Sequence, residues 1–366
     1  MNLNIKPFWE TRMAFLMKKH TSTFLLIFVS WVAIGQWHTI PLNTTASFRA
    51  LKSFKNEIWA SGTKGTYIHS KDDGNTWEIR QVPGAENLDF RDLVILTKKE
   101  IILMSAGPSE KGAAKLFKTK DGGQTWEIIF DIKMSNYFFD AITWDYKKGI
   151  GFLLSDPINY KFVIFKIEKH GAKIEQIKLP NFPLLQPREA AFAASGTSIL
   201  WTNGQLNIVS GGANRARIFQ STNTELTSWN ITHNEIPADT SSGFFTIGAK
   251  NKNHFWVAGG NYLNSNSSEI PILESKNAGE NWKPLDTQIP KNYYIEKVIW
   301  SRPYWITTGP AGSYAYDSRL KKWVNLSESH YHTIIATQQK ILGVGAKGQV
   351  GYLNKKDLKA LFLSEK

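Results

Sequence analysis

Three windows of this 366-residue chain repeat one turn-like pattern. They are residues 70–77 (SKDDGNTW), 119–126 (TKDGGQTW) and 275–282 (SKNAGENW). Each lies between runs that read as strands, such as Tyr67-Ile68-His69 before the first and Trp77-Glu78-Ile79 after it. Between them stands the chemistry of a tight turn. Asp72 and Asp121 are placed to accept hydrogen bonds from nearby backbone N–H groups, and Gly74, Gly123 and Gly279 take the positive φ that other residues resist. Trp77, Trp126 and Trp282 close the turns with a large apolar face. Recurrence of one supersecondary unit is the signature of a repeat architecture, in which neighbouring units must stack to bury a core.

The pattern, S/T-x-D-x-G-x-T-W, resembles the Asp-box (BNR repeat) of β-propellers. Its carboxylates are read as structural, because each is needed to close its own turn. Reading outward gives four short strands per unit. The first runs through Phe48-Arg49-Ala50-Leu51, Glu57-Ile58-Trp59-Ala60, Thr66-Tyr67-Ile68-His69 and Trp77-Glu78-Ile79. Further units start near Asp89, Phe138, Glu189, Gly243, Tyr294 and Tyr331. In the third the turn has decayed, with Gly171 and Ile174 keeping the Gly and Trp places. In the fourth it is stretched from Ser221 to Trp229. The seventh unit stops after Val350-Gly351-Tyr352-Leu353 and lacks a fourth strand. Gln36-Trp37-His38-Thr39-Ile40 looks like that missing outer strand. The expectation is a seven-bladed, all-β propeller of four-stranded antiparallel blades, the last closed by the N-terminal strand. Six blades is the alternative, because the third unit is degenerate. One propeller domain would cover residues 36–354, followed by a tail at 355–366.

Residues 1–35 read as a secretory signal peptide. Met17-Lys18-Lys19-His20 is a basic n-region, residues 24–34 are apolar, and Ala33 and Gly35 supply small residues before a cut at Gln36. Residues 1–16 would then be a misassigned extension, with Met17 the start. The competing reading is an uncleaved anchor. The expected location is the periplasm or the extracellular space, with no transmembrane span after cleavage. The chain has no cysteine, which excludes disulfides, thiol catalysis and Cys-ligated metals. The formal charge of +13 favours acidic partners. The Lys and Arg residues are scattered, with no basic-aromatic strip, so nucleic acid is not expected.

In a four-stranded meander the repeated turn joins the third and fourth strands. The loops from second to third strand, and those entering each inner strand, lie on the opposite face. Arg49, Arg91, Asp92, Asp140 and Glu189 fall at inner-strand starts. Asp156, Arg215 and Tyr262 fall in or beside second-to-third-strand loops. These eight are the candidate binding residues of a channel rim; the competing reading makes them ion pairs that stiffen the ring.

Phe48-Arg49-Ala50-Leu51, Trp59-Ala60-Ser61-Gly62, Phe90-Arg91-Asp92, Ser155-Asp156-Pro157, Glu189-Ala190-Ala191-Phe192, Gly211-Gly212 and Gly259-Gly260-Asn261-Tyr262, taken with the turns, resemble the photosystem II stability/assembly factor-like propellers. The match is with an exported branch of Bacteroidetes-type bacteria. The resemblance implies a non-catalytic assembly or binding scaffold that engages a protein partner; the basic charge adds an anionic glycan as an alternative partner, and a monomer without a cofactor is expected. An oxidoreductase activity finds no support, since there is no cysteine pair, no strand–GxGxxG–helix unit and no haem attachment motif. The enzymatic alternative is a sialidase-like glycosidase, which would need an arginine clamp drawn from Arg49, Arg188, Arg215, Arg217 and Arg302. Paired carboxylates among Asp140, Asp156 and Glu189 would serve another glycosidase. His330-Tyr331-His332 places two imidazoles on one side of a strand, but no third ligand is evident and no metal is expected.

Overall fold

The computed structural model describes residues 37–264, 270–287, 289 and 294–364. Residues 1–35, the expected signal peptide, lie outside the described residues. The described strands form seven four-stranded antiparallel sheets.

Blade one comprises β2 (Phe48–Phe54), β3 (Glu57–Gly62), β4 (Thr66–Ser70) and β5 (Glu78–Gln81). Blade two comprises β6 (Asp89–Ile95), β7 (Ile101–Ala106), β8 (Lys115–Thr119) and β9 (Glu127–Asp131). The degenerate third unit is a full blade, with β10 (Phe139–Asp145), β11 (Ile150–Ile158), β12 (Lys161–Glu168) and β13 (Lys173–Gln176), so the count is seven and not six. Blades four and five run from β14 (Ile199–Thr202), β15 (Gln205–Val209), β16 (Arg215–Ser221) and β17 (Trp229–Pro237) to β18 (Ser242–Asn251), β19 (His254–Asn261), β20 (Leu273–Ser275) and β21 (Lys283–Pro284). Blade six holds β22 (Lys297–Ser301), β23 (Tyr304–Gly309), β24 (Gly312–Asp317) and β25 (Lys322–Ser327). Blade seven takes β26 (Thr333–Ala336), β27 (Lys340–Val344) and β28 (Val350–Asn354) from the C-terminal side. Its outer strand is β1 (His38–Ile40), which pairs antiparallel with β28 in the register His38–Tyr352 and Ile40–Val350. Trp37 fixes that seam: its indole N–H donates to the Tyr331 hydroxyl at 2.6 Å.

The core sits between blades. Trp59, Trp256 and Trp305 are fully buried, and Trp256 stacks on Trp305 of the next blade with centroids 4.6 Å apart. The repeated turns contribute to this packing. In the second, the Thr119 hydroxyl accepts from Gly123 N at 2.8 Å, and the Asp121 carboxylate accepts from Gln124 N, Thr125 N and the Thr125 hydroxyl at 2.9, 2.9 and 2.6 Å. Those bonds hold Asp121 well below the usual carboxylate range. Gly123, at φ 88°, then lies against blade one: a Cβ there would stand 2.7 Å from the Tyr67 hydroxyl oxygen, which donates its proton to Gly123 O. Gly74 likewise abuts Leu342 of blade seven, and Gly279 abuts Gln220 of blade four. Each turn closes its own hairpin and packs on the preceding blade. In the stretched fourth turn, Leu226 occupies the positive-φ place, and Trp229 Nε1 donates to its carbonyl at 3.0 Å.

Residues 355–364 form helix α1 (Lys355–Ser364), which buries Leu358 and Phe362, the latter stacked on Tyr304 at 4.6 Å. No helix among the described residues is long and apolar enough to cross a membrane.

One boundary needs correction. The inner strand of blade four was expected to start at Glu189; it starts at Ile199. Residues 190–198 leave the sheet and cross the channel. The Arg91 guanidinium of blade two donates to Ala193 O at 3.3 Å, and the Ser195 hydroxyl donates to Glu296 O, at the start of blade six, at 2.6 Å. Thr197 bonds the Thr246 hydroxyl of blade five at 2.9 Å, while Gly196 lies against Asp92. The run Ala190-Ala191-Phe192-Ala193-Ala194 offers little side chain to pack on a pleated surface, so a loop that fills the channel outcompetes a strand.

Candidate functional site

One backbone device aims side chains at the channel mouth. Arg49, Arg91, Asp140 and Phe245 each follow a buried Phe at the start of an inner strand. In all four blades the pairing register skips that residue: Phe48 pairs with Gly62 and Ala50 with Ser61, and the same slip occurs at Phe90/Asp92, Phe139/Ala141 and Phe244/Thr246. A bulge leaves one residue outside the ladder and redirects its side chain. Glu296 and His332 hold the corresponding places beside Ile295 and Tyr331, just before β22 and β26.

The result is a cavity of about 500 Å³. Arg49, Arg91, Asp140, Asp156, Tyr262 and Glu296 supply its polar wall. Phe192, Phe245, Tyr294 and Phe138 supply the aromatic part, and residues 190–194 of the crossing segment also line it. Phe192 and Phe245 lie 4.3 Å apart, with Tyr262 edge-on to Phe192. The channel is thus blocked by protein at this mouth.

The charges are unevenly matched. Arg91 is tied to Asp89 at 2.7 Å. Arg49 makes no ion pair or hydrogen bond among the described residues. Asp140 is buried, and its Oδ2 has no hydrogen-bond partner. Burial, with the Asp156 charge beside it, pushes the Asp140 carboxyl well above the usual carboxylate range. Burial pushes Asp156 up to about 6.

Of the eight expected rim residues, the fold brings together five: Arg49, Arg91, Asp140, Asp156 and Tyr262. Asp92 is fully buried. Its carboxylate accepts from Leu93 N at 2.8 Å and from Ile142 N of blade three at 2.9 Å, and pairs with Lys52 of blade one at 3.2 Å, so it ties three blades. Glu189 is also buried: it takes both forks of Arg217 and the Ser210 hydroxyl at 2.6 Å. Arg215 is exposed at the start of β16, away from the cavity lining. The sialidase-like arginine clamp is not assembled, since Arg217 holds Glu189 and Arg302 lies in the β22–β23 turn, on the face of the repeated turns.

Glu296 was not singled out from the sequence. Burial pushes its carboxyl up, but the pairs with His330 and His332 outweigh this and hold it at about 2. His332 Nδ1 lies 2.9 Å and His330 Nε2 3.4 Å from Glu296 Oε2, and the Tyr294 hydroxyl donates to Oε1 at 2.5 Å. Phe192, Phe245 and Tyr294 were also missed as site residues. Their signal was the aromatic beside each inner-strand start, which reads as core until the bulge is seen.

No protein-family model matches this chain, and no curated protein matches it. Among solved structures, it is similar to YCF48 from Cyanidioschyzon merolae, with a TM-score of 0.65 and 15% identity over 88% of this chain and 99% of that one. It is similar also to the computationally designed Ika8 protein, with a TM-score of 0.53 and 10% identity over 87% and 99%. A structure titled YCF48 bound to D1 peptide overlaps with a TM-score of 0.41 and 18% identity over 89% and 100%, too loosely to bear on this chain. At these identities the likeness concerns the propeller fold.

Proposed function

We propose that this chain is an exported, non-catalytic scaffold that holds a segment of a partner protein in the channel-mouth cavity. The observation that carries this reading is the pairing of Arg49, which lacks an ion-pair partner among the described residues, with the aromatic wall of Phe192, Phe245, Tyr262 and Tyr294. Such a wall takes an apolar side chain, and the guanidinium takes an adjacent carboxylate. The partner segment is therefore acidic and aromatic or aliphatic. The resemblance of the Phe90-Arg91-Asp92 and Glu189-Ala190-Ala191-Phe192 segments to the assembly factor-like propellers supports the reading, and the composition of residues 1–35 supports export. The repeated turns, taken as Asp-boxes, serve the fold and not the site.

Affinity purification from the envelope fraction tests it, comparing wild type with the Arg49→Ala/Tyr262→Ala double variant. One or more partners lost from the double variant is the expected result. An identical partner list overturns the cavity as the binding site. Turnover of a sialoside or other glycoside by the wild type, lost in Asp140→Asn, overturns the non-catalytic claim.

A further inference from the structure

We propose that Glu296, His330 and His332 bind a divalent transition-metal ion at the rim of the channel mouth. Two separate stretches of chain meet there. Glu296 stands just before the inner strand of blade six. His330 and His332 flank Tyr331 on the segment leading into blade seven. Alternate residues of an extended segment share a side, so Tyr331 turns into the core, where it is fully buried, and both imidazoles face Glu296.

The donor set is that of a three-ligand site. One ligand atom from each residue lies within 4.8 Å of the other two. In tetrahedral zinc, N and O ligands about 2.0–2.1 Å from the ion stand about 3.3 Å from one another. The two contacts to Glu296 Oε2, at 2.9 and 3.4 Å, bracket that spacing. His330 Nε2 is a buried nitrogen with no hydrogen bond, aimed at the carboxylate. The Tyr294 hydroxyl occupies Oε1 and leaves Oε2 for the ion, the kind of second contact that orients a ligating carboxylate. Glu296 also lines the cavity, so a fourth position would open toward it, for water or for a carboxylate of whatever the cavity holds. Arg49 is close enough to disfavour charge on His332 and so opposes a cation, while the buried Glu296 carboxylate attracts one. Two imidazoles and one carboxylate select zinc-like ions over calcium and magnesium. This site stands whether or not the cavity takes a protein partner.

Titration of the untagged full-length chain with zinc chloride, followed by calorimetry and by thermal melting, tests it; cobalt(II) chloride in place of zinc adds a visible absorption readout. The expected result is one ion per chain, a rise in Tm with zinc, and cobalt d–d bands of low coordination number. His330→Gln, on the more exposed histidine, and Glu296→Gln should each abolish the one-site isotherm and the Tm rise. Tyr294→Phe should keep the site and weaken it about 10-fold. No zinc or cobalt binding by the wild type, the same binding in the two Gln variants, or equal affinity for calcium would each overturn the proposal. A His330→Gln chain that keeps the wild-type Tm without zinc shows that loss of binding is not loss of fold.

Discussion

Glu189 and Arg217 illustrate how a buried charge is held. The carboxylate is almost wholly enclosed and has the two guanidinium forks, one hydroxyl and the Gln186 N–H as partners. Removing Arg217 strands that charge. Arg217→Ala should cost about 3–5 kcal/mol in chemical denaturation, and the double change Glu189→Gln/Arg217→Met should recover much of it. Asp156 is the opposite case, a carboxyl that burial alone raises. Its pKa is raised to about 6, against about 3.9 in the unfolded chain. The native state therefore binds the proton more readily, and stability falls as pH rises from about 4 through 6. Asp156→Asn removes that penalty. Thermal melts should show the variant more stable at pH 7.5, by about 1–2 kcal/mol after solvent screening, with the difference vanishing near pH 4. At this scale little was legible beforehand. A single chain of letters shows that Glu189 is charged, but not that Arg217 has been folded onto it. Glu296 went unremarked because its histidines lie on another blade.

At the scale of the element, the repeated turn works as a joint between blades. Gly123 cannot accept a side chain without striking Tyr67, and its φ of 88° strains any other residue. Gly123→Ala should therefore lower stability by about 2–3 kcal/mol in urea unfolding, more than the same change at Gly84, which has open space around it. The turns, the strands between them and the strand borrowed for blade seven were all readable, because each depends on local chemistry repeated at a fixed interval. The inner strand of blade four was not, because residues 190–198 make hydrogen bonds to blades two, five and six as well as to blade four, and no window of sequence contains those partners. The bulges at Arg49, Arg91, Asp140 and Phe245 were invisible for a related reason. A skipped pairing is a relation between two strands, and the residue that is skipped carries no mark of its own.

At the scale of the whole molecule, closure and charge matter most. Blade seven depends on three residues of β1 and on the Trp37–Tyr331 contact. Trp37→Ala should cost about 2–3 kcal/mol by calorimetry. Deleting β1 leaves the edge of β28 unpaired, and size-exclusion chromatography should then show dimers or larger species. The formal charge of +13 gives any acidic partner a long-range attraction. Capture of that partner should weaken as salt rises from about 50 to about 300 mM, as the screening length shrinks. The seam has a further consequence, for the order of events in the life of the chain. Trp37 and Tyr331 are 294 positions apart, so the first strand made waits for nearly the last. Blades can form as they emerge, but the ring cannot lock until β28 exists, and a contact of such long range is slow to find. The unfinished chain stays an open string, the state that the export proposed above requires of a chain passing end-first through a membrane pore.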